Sequence, residues 1–449
     1  MECYQRAMGH SNQRSNKMSL FHKYLYLAGE RFKNPHLQTH LDQLMKTDRA
    51  SLQELEAIQL DRLKKLLRHA SENTNFYKER LKDIDIDNMT LDDLQKIPVL
   101  TKDELKANAE DLRNEPEGQE LIKAETSGTT GDVFLFNKNI QWDASFRAAQ
   151  YRGYSWYDVK PWDKSLYFWG FKKSFKEKSK IRVLDFLLNR YRFFDYTNEE
   201  FERAADRIRK STYIAGYSSS IHMMAEYFKK KGYKFDNIKM VKGTAEKVYD
   251  SYHKSVKEVF GHKITSEYGS AEAGVIAYEC PAGNMHIVME NVIIEEIDNK
   301  IIVTNLWAYS LPFIRFELGD YVVLDNDTKC ECGREHKIIK EITGRIGRKI
   351  HGKKEIYSTI NINHTFKNVS YKYGIELAYA AKQYEKGKMV FDIIEDNDLD
   401  LPKAKEALIN SAYEYFGDDL DIEVNFISYK EGKDKKQKDF ESFLEVDPS

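Results

Sequence analysis

Residues 124–131 read Ala124-Glu125-Thr126-Ser127-Gly128-Thr129-Thr130-Gly131. Four hydroxyl side chains and two glycines fall within the six positions from Thr126 to Gly131, shortly after the apolar pair Leu121 and Ile122. Glycine weakens helix and strand alike, and Ser and Thr compete for backbone hydrogen bonds. Such a run turns tightly and leaves backbone N–H and hydroxyl donors converging on one place, which suits phosphate oxygens. No Gly-Lys-Ser/Thr follows the glycines, so this is not a Walker A loop. Taken alone, a solvated linker explains the stretch as well as a phosphate cradle does, and the rest of the chain has to decide.

The bulk composition narrows the field. A chain of 449 residues is long enough for several domains and at least one large core. Hydrophobic residues at 41% and aromatics at 13% exclude a disordered chain. The 70 Lys and Arg nearly balance the 72 Asp and Glu, and a net charge of −2 gives no general reason to bind nucleic acid or an anionic membrane. The Lys-rich stretches Lys172 to Lys180 and Lys430 to Lys438 read as solvated faces. Met1 to Lys17 has no apolar h-region, and Leu20 to Ala28 is short and interrupted by His22 and Lys23. The expectation is a soluble, cytoplasmic protein with neither nucleic-acid nor membrane partner.

Periodicity divides the chain into three. Leu52, Leu55, Ile58, Leu63, Leu66, Leu67 and Ala70 recur at helical spacing, predicting an amphipathic helix over 51–70. Asn73-Thr74-Asn75 breaks it, Phe76-Tyr77 starts a second short helix, and Thr101 with Glu104 caps a later one. Residues 1–120 are thus a mostly helical lead-in belonging to the large domain. From 121 to 345, apolar runs (Ser165 to Trp169, Tyr213 to Ala215, Lys239 to Val241, Lys263 to Ser266) alternate with helical stretches, which argues for parallel sheet layers. Val292 to Ile297 and Lys300 to Thr304 flank the turn dipeptide Asp298-Asn299 as a hairpin would. A polar, Gly-interrupted stretch after Arg345 marks a boundary, and 346–449 reads as a small α+β domain. The fold class is α/β: a large multi-layer N-terminal domain of β-sheets flanked by helices, plus the small C-terminal domain.

Three further groups lie downstream of the opening loop. Glu267-Tyr268-Gly269-Ser270-Ala271-Glu272 follows an apolar run and puts a carboxylate just past a Ser-containing turn, where α/β sheets place ligand contacts. Gly319-Asp320 reads as a turn supplying a second acid, and Thr343-Gly344-Arg345 lies at the domain joint. Their order resembles that of the AMP-forming adenylating enzymes (acyl-CoA synthetases, peptide-synthetase adenylation domains and luciferases), and most closely the phenylacetate–CoA ligase group with its CapK-type capsule-biosynthesis relatives. The stretches carrying the resemblance also include Ile97-Pro98-Val99-Leu100-Thr101-Lys102, Gly216-Tyr217-Ser218, Gly243-Thr244-Ala245-Glu246 and Leu311-Pro312-Phe313-Ile314-Arg315-Phe316.

The resemblance implies a set of roles. Thr126, Ser127, Gly128, Thr129, Thr130 and Gly131 would hold the β- and γ-phosphates of ATP. Gly243, Thr244, Ala245 and Glu246, with Tyr268, Gly269 and Ser270, would line the adenine and acyl sites. Glu272 would bind Mg²⁺, a hard cation that prefers oxygen ligands. Asp320 would accept from both ribose hydroxyls, and Arg345 would contact ribose or phosphate near the hinge. A lysine from the C-terminal segment, Lys433, Lys436 or Lys438, would approach the α-phosphate. The implied reaction is attack of a carboxylate on the α-phosphorus with loss of pyrophosphate, followed by transfer of the acyl group to CoA. A non-CoA acceptor in surface-polysaccharide assembly, and a nucleotide-binding scaffold with weak catalysis, are the alternatives. Three departures bear on them: Ala271 stands where the family has a hydroxyl, Asp132 follows the loop, and Gly347 and Arg348 replace the usual acidic hinge pair.

Three of the four cysteines have ligand-like spacing. Cys280 precedes His286 by six residues, and Cys330-Glu331-Cys332-Gly333 has the form of a metal turn. Three thiolates and one imidazole would close a tetrahedral structural zinc site, with His286 or His336 as the fourth ligand. The phenylacetate–CoA ligase relatives include members with zinc at matching positions. Trp169, Phe171, Tyr217 and Ser218 are expected to border the acyl pocket and would permit an aromatic or medium-sized apolar acid. The same group suggests a homodimer.

Overall fold

The computed structural model describes residues 20–116, 118–125, 134–168, 175–193, 198–244, 248–325, 327–345, 349–395, 399–427 and 440–444. Helix α1 covers residues 20–33, followed by α2 (Leu37–Lys46) and α3 (Leu52–Asn73). Helix α3 starts where Ser51 and Glu54 form a reciprocal capping box, and it buries Leu55, Leu63, Leu66, Leu67 and Ala70. Each such Leu contributes about 1.5–3 kcal/mol by leaving water. Thr74 caps α4 (Asn75–Arg80), and Thr101 caps α5 (Lys102–Ala107), which α6 (Ala109–Leu112) follows. This lead-in is tied to the sheet at Leu100, whose N–H donates to the Arg315 carbonyl at 2.9 Å and whose carbonyl accepts from Glu317 N–H at 2.9 Å. Arg315 holds a left-handed φ of 51°, strained for a residue with a Cβ. Its guanidinium offsets that strain by pairing with both oxygens of Glu295 at 2.9 Å and donating to the carbonyls of Gln95 and Ile97.

Strands β1 (Leu121–Glu125) and β2 (Leu135–Asn139) form an antiparallel hairpin in the register Glu125 to Leu135, which carries the hydroxyl-rich stretch as its connection. After α7 (Ile140–Ser155) the chain winds through β3 (Ser165–Phe168), α8 (Phe175–Leu187), β4 (Arg190–Arg192), α9 (Asn198–Ile208), β5 (Tyr213–Tyr217), α10 (Ser218–Lys230), β6 (Met240–Thr244), α11 (Asp250–Phe260) and β7 (Ile264–Ser270). These strands are parallel in the order β7-β6-β5-β3-β4. The remaining strands, β8 (Gly274–Glu279), β9 (Met285–Ile287), β10 (Val292–Ile297), β11 (Lys300–Asn305), β12 (Phe316–Asp325) and β13 (Ile338–Arg345), extend them antiparallel into one eleven-stranded sheet. The predicted hairpin is β10–β11, and Asp298 and Asn299 both take positive φ, 51° and 61°, as a type I′ turn requires.

The C-terminal part contains β14 (Lys349–His351), β15 (Ile356–Ser358), α12 (Ile360–Tyr373), β16 (Tyr379–Gln383), β17 (Lys388–Ile394), α13 (Leu401–Phe416), β18 (Asp421–Ile427) and β19 (Phe440–Ser442). Its sheet runs β18-β17-β16-β19. It docks on the large part where the rings of Tyr249 and Tyr379 lie 5.7 Å apart, and Tyr249 Oη donates to the Tyr379 carbonyl at 3.3 Å. An ion pair between Lys367 and Glu341 crosses from α12 to β13.

Candidate adenylation and metal sites

The C-terminal ends of β5, β6 and β7 are where a parallel sheet presents ligand-binding groups. At the end of β7, Gly269 is required because a Cβ there would overlap the carbonyl oxygen of Gly274 on the returning strand. Ser270 Oγ accepts from Ala273 N–H at 3.0 Å and closes the turn on which Glu272 stands. The Glu272 carbonyl accepts from Asn305 Nδ2 at 2.8 Å, and the residue is 7% exposed. Its carboxylate forms no hydrogen bond or ion pair among the described residues. A buried carboxylate with free lone pairs fits a hard cation.

Asp320 differs from its sequence reading. It lies inside β12, not on a turn, and Gly319 at φ 86° sits where the β11–β12 register slips between Glu317 and Tyr321. Tyr268 Oη donates to Asp320 Oδ2 at 2.8 Å, and the β12–β13 register places Asp320 opposite Arg345. Three elements far apart in sequence are thus gathered at one edge of the site. Gly243 is packed so that a Cβ would strike Ser218 Oγ and Ile264 Cγ2. Thr244 Oγ1 donates to Glu267 Oε1 at 3.4 Å. Thr126, Ser127, Gly128, Thr129, Thr130, Gly131, Asp132, Ala245, Glu246, Trp169, Phe171, Lys433, Lys436, Lys438 and the side chain of Arg345 lie outside the described residues.

Two charged groups near this site escaped the sequence reading. Lys138 on β2 extends over the rings of Trp142 and Phe136, 5.1 and 5.8 Å from their centroids. Burial pushes its pKa down, while the carboxylates of Asp143 and Glu272 pull it up. Lys242 on β6 pairs with Glu267 at 2.9 Å, with side chains only 4% and 7% exposed. The signal was a single charged residue inside the apolar run Met240 to Thr244, since a strand buried on both faces has no solvated side for it.

The cysteine cluster forms at the β8–β9 turn and the connection before β13. Cys280, His286, Cys330 and Cys332 each offer one donor atom, all within 4.8 Å of one another. Two tight turns set this: Gly283 N–H donates to the Cys280 carbonyl at 2.8 Å, and Gly333 N–H to the Cys330 carbonyl at 2.9 Å. Cys332 Sγ lies 3.2 Å from His286 Nε2. His286 Nδ1 lies 3.1 Å from the His336 carbonyl, so it carries the proton and leaves Nε2 as a lone-pair donor. His336 itself turns Nε2 toward Glu290, at 3.3 Å, and contributes no side-chain ligand. Of the two histidines left open by the sequence, His286 is the one in the cluster. Burial pushes the Cys280 thiol up to about 12 and the His286 imidazole down to about 4. Burial acts the same way on Cys330, but hydrogen bonds from Cys332 N–H and Asn284 Nδ2 prevail and hold its thiol below the ordinary value. Three crowded sulfurs, a neutral imidazole and a hydrogen-bonded carbonyl behind it are a donor set that fits Zn²⁺.

No family model matches the chain. Protein CapK of Staphylococcus aureus is 22% identical over 316 residues, 65% of this chain and 68% of that protein. A structure of 2-hydroxyisobutyryl-CoA ligase in the postadenylation state, in complex with 2-HIB-AMP, superposes with a TM-score of 0.63 at 16% identity. It covers 88% of this chain and 90% of the ligase. An open conformation of that ligase with 2-HIB-AMP and CoA gives 0.56, at 16% identity, over 88% of this chain and 93% of the other. Over 88% of its length the chain has the fold of the AMP-forming adenylating enzymes.

Proposed function

We propose that the chain is an ATP-dependent, AMP-forming carboxylic acid ligase that passes its acyl group to CoA. The observation that carries this is the hydrogen bond from Tyr268, just past the parallel pairing of β7 with β6, to Asp320 on β12. An ionised Asp320 offers two oxygens to a pair of vicinal hydroxyls, and Tyr268 Oη fixes one of them in place. Tyr268 also offers a ring face for a planar base. The Glu272 carboxylate would hold Mg²⁺, which when bound would neutralise charge on the phosphates. The Thr126–Gly131 donors would do the same through hydrogen bonds, so alignment and charge stabilisation supply most of the rate. The four-residue Cys/His cluster would hold a structural zinc that staples the β8–β9 turn to the segment before β13. Residues 346–449 would act as a mobile domain bringing one of Lys433, Lys436 and Lys438 to the α-phosphate.

The test is pyrophosphate release against a panel of carboxylic acids with Mg²⁺ and ATP, repeated with CoA. The expected outcome is acid-dependent release for a subset of acids and a thioester product when CoA is added. Acid-dependent release without thioester would move the acceptor from CoA to another nucleophile. Absence of acid-dependent release across the panel would defeat the ligase reading.

A further inference from the structure

On β6, alternate side chains face opposite sides of the sheet. Val241 packs into the core beneath α10 and α11, while Met240 and Lys242 face α7, with Met240 packed against Ala148, Ala149 and Tyr154. Lys242 Nζ stands 5.1 Å from the Tyr154 ring and donates to Glu267 Oε2 at 2.9 Å. The Glu267 carboxylate is then filled from other directions: Gln150 Nε2 donates to both its oxygens at 3.0 and 3.2 Å, and Thr244 Oγ1 donates to Oε1 at 3.4 Å. The ammonium is not filled. Among the described residues, Glu267 is the sole hydrogen-bond partner of Lys242 Nζ, and no donor reaches the Gln150 amide oxygen. The register partner of Lys242 on β5 is Ala215, which adds only a methyl group.

This pair stands one residue before Tyr268 and two before Thr244, directly beneath the strand ends that carry the adenylation residues. A buried ion pair is costly to desolvate and is commonly matched in stability by well-packed apolar residues. A pocket for an apolar acid would have no use for it. We infer that Lys242, fixed by Glu267, which Gln150 holds in turn, is the specificity-determining residue for the acyl part of the substrate, and that the acid carries a hydroxyl on its acyl chain. Such a group accepts from the unused N–H bonds of Lys242 and donates to Gln150 Oε1. The Lys242–Glu267 pair is neutral overall, so a second carboxylate on the acid would bury an unbalanced charge. This departs from the aromatic or medium-sized apolar acid that the sequence permits, and it rests on the adenylation reading of the same site.

The test uses non-hydrolysable acyl-adenylate mimics, the sulfamoyl adenosines bearing butanoyl, 3-hydroxybutanoyl and 4-hydroxybutanoyl groups. Each is titrated calorimetrically into the full-length protein, Lys242→Met and the double variant Lys242→Met/Glu267→Gln. The double variant removes both charges, so that neither is left buried alone, and melting curves confirm that it is folded. The expected result is at least about tenfold tighter binding of one hydroxylated mimic over butanoyl by the unaltered protein. That ratio should fall to near one in both variants, whereas a purely structural ion pair would leave it unchanged. Butanoyl binding as tightly as both hydroxylated mimics, or a ratio that survives in the variants, overturns the inference while leaving the adenylation reading intact. Failure of all three mimics to bind defeats the adenylation reading, and the inference with it.

Discussion

Tyr268 and Asp320 are 52 positions apart in the chain and 2.8 Å apart at their oxygens. On the proposed reading, replacing Asp320 with Ala removes both acceptors of the ribose hydroxyls, and ATP affinity should fall by about 1.5–3 kcal/mol. Tyr268→Phe deletes only the orienting hydroxyl and should cost about 0.5–1.5 kcal/mol. Calorimetric titration of each variant with ATP checks both, and equal losses would contradict the assigned roles. A different residue sets a pH dependence of the fold. His40 is buried edge-on against Trp307, ring centroids 4.3 Å apart, and burial, with Arg62 nearby, lowers its pKa to about 4. The unfolded chain takes up this proton first, near the ordinary histidine value. Stability should therefore fall as pH drops from about 6.5 to about 4, by at most about 3 kcal/mol from this group, with no further loss from it below that. Urea midpoints across the range should show this slope, and His40→Phe should flatten it.

Elements whose cause is local were readable in the sequence, and those that depend on distant strands were not. Helix α3 follows from its Leu spacing and its Ser51–Glu54 box, and the β10–β11 hairpin from Asp298-Asn299. The strand position of Asp320 was not readable, because Gly-Asp signals a turn unless a partner strand such as β13 captures it. Lys242 and Glu267 were passed over for a related reason: which face of a strand a charge occupies is decided by the helix packed on it. The metal turns are local, and their cysteines were legible, but the choice of His286 over His336 depends on Glu290. That carboxyl is buried, which alone would favour its neutral form, yet Arg152 and His336 hold it well below the usual carboxylate range. Arg152 and Glu290 are each 1% exposed and 2.6 Å apart. Arg152→Met should destabilise the protein by about 3–5 kcal/mol, and adding Glu290→Gln should recover part of that loss, measured by urea denaturation. For the cysteine turns, gently purified protein should contain about one zinc per chain, and Cys280→Ser should abolish it and cost on the order of several kcal/mol. Metal analysis finding no zinc would remove that assignment.

At the scale of the molecule, one buried cluster runs from the parallel sheet into the C-terminal part, joining Tyr249 and Tyr252 to Phe366 and Tyr379. The Phe366 and Tyr379 rings stack at 3.6 Å beneath this contact. Among the described residues, no helix is long and apolar enough to cross a membrane. The large part carries the residues proposed to face the nucleotide, and the proposed function stands on what happens to the α-phosphate. The most direct measurement supplies Mg²⁺, ATP, CoA and a mixture of carboxylic acids labelled with ¹⁸O in the carboxylate. A carboxylate oxygen that attacks the α-phosphorus stays with the nucleotide when the acyl carbon is later attacked. The account predicts AMP carrying one ¹⁸O, together with unlabelled pyrophosphate. Release of ADP and phosphate, or AMP without label, would contradict it.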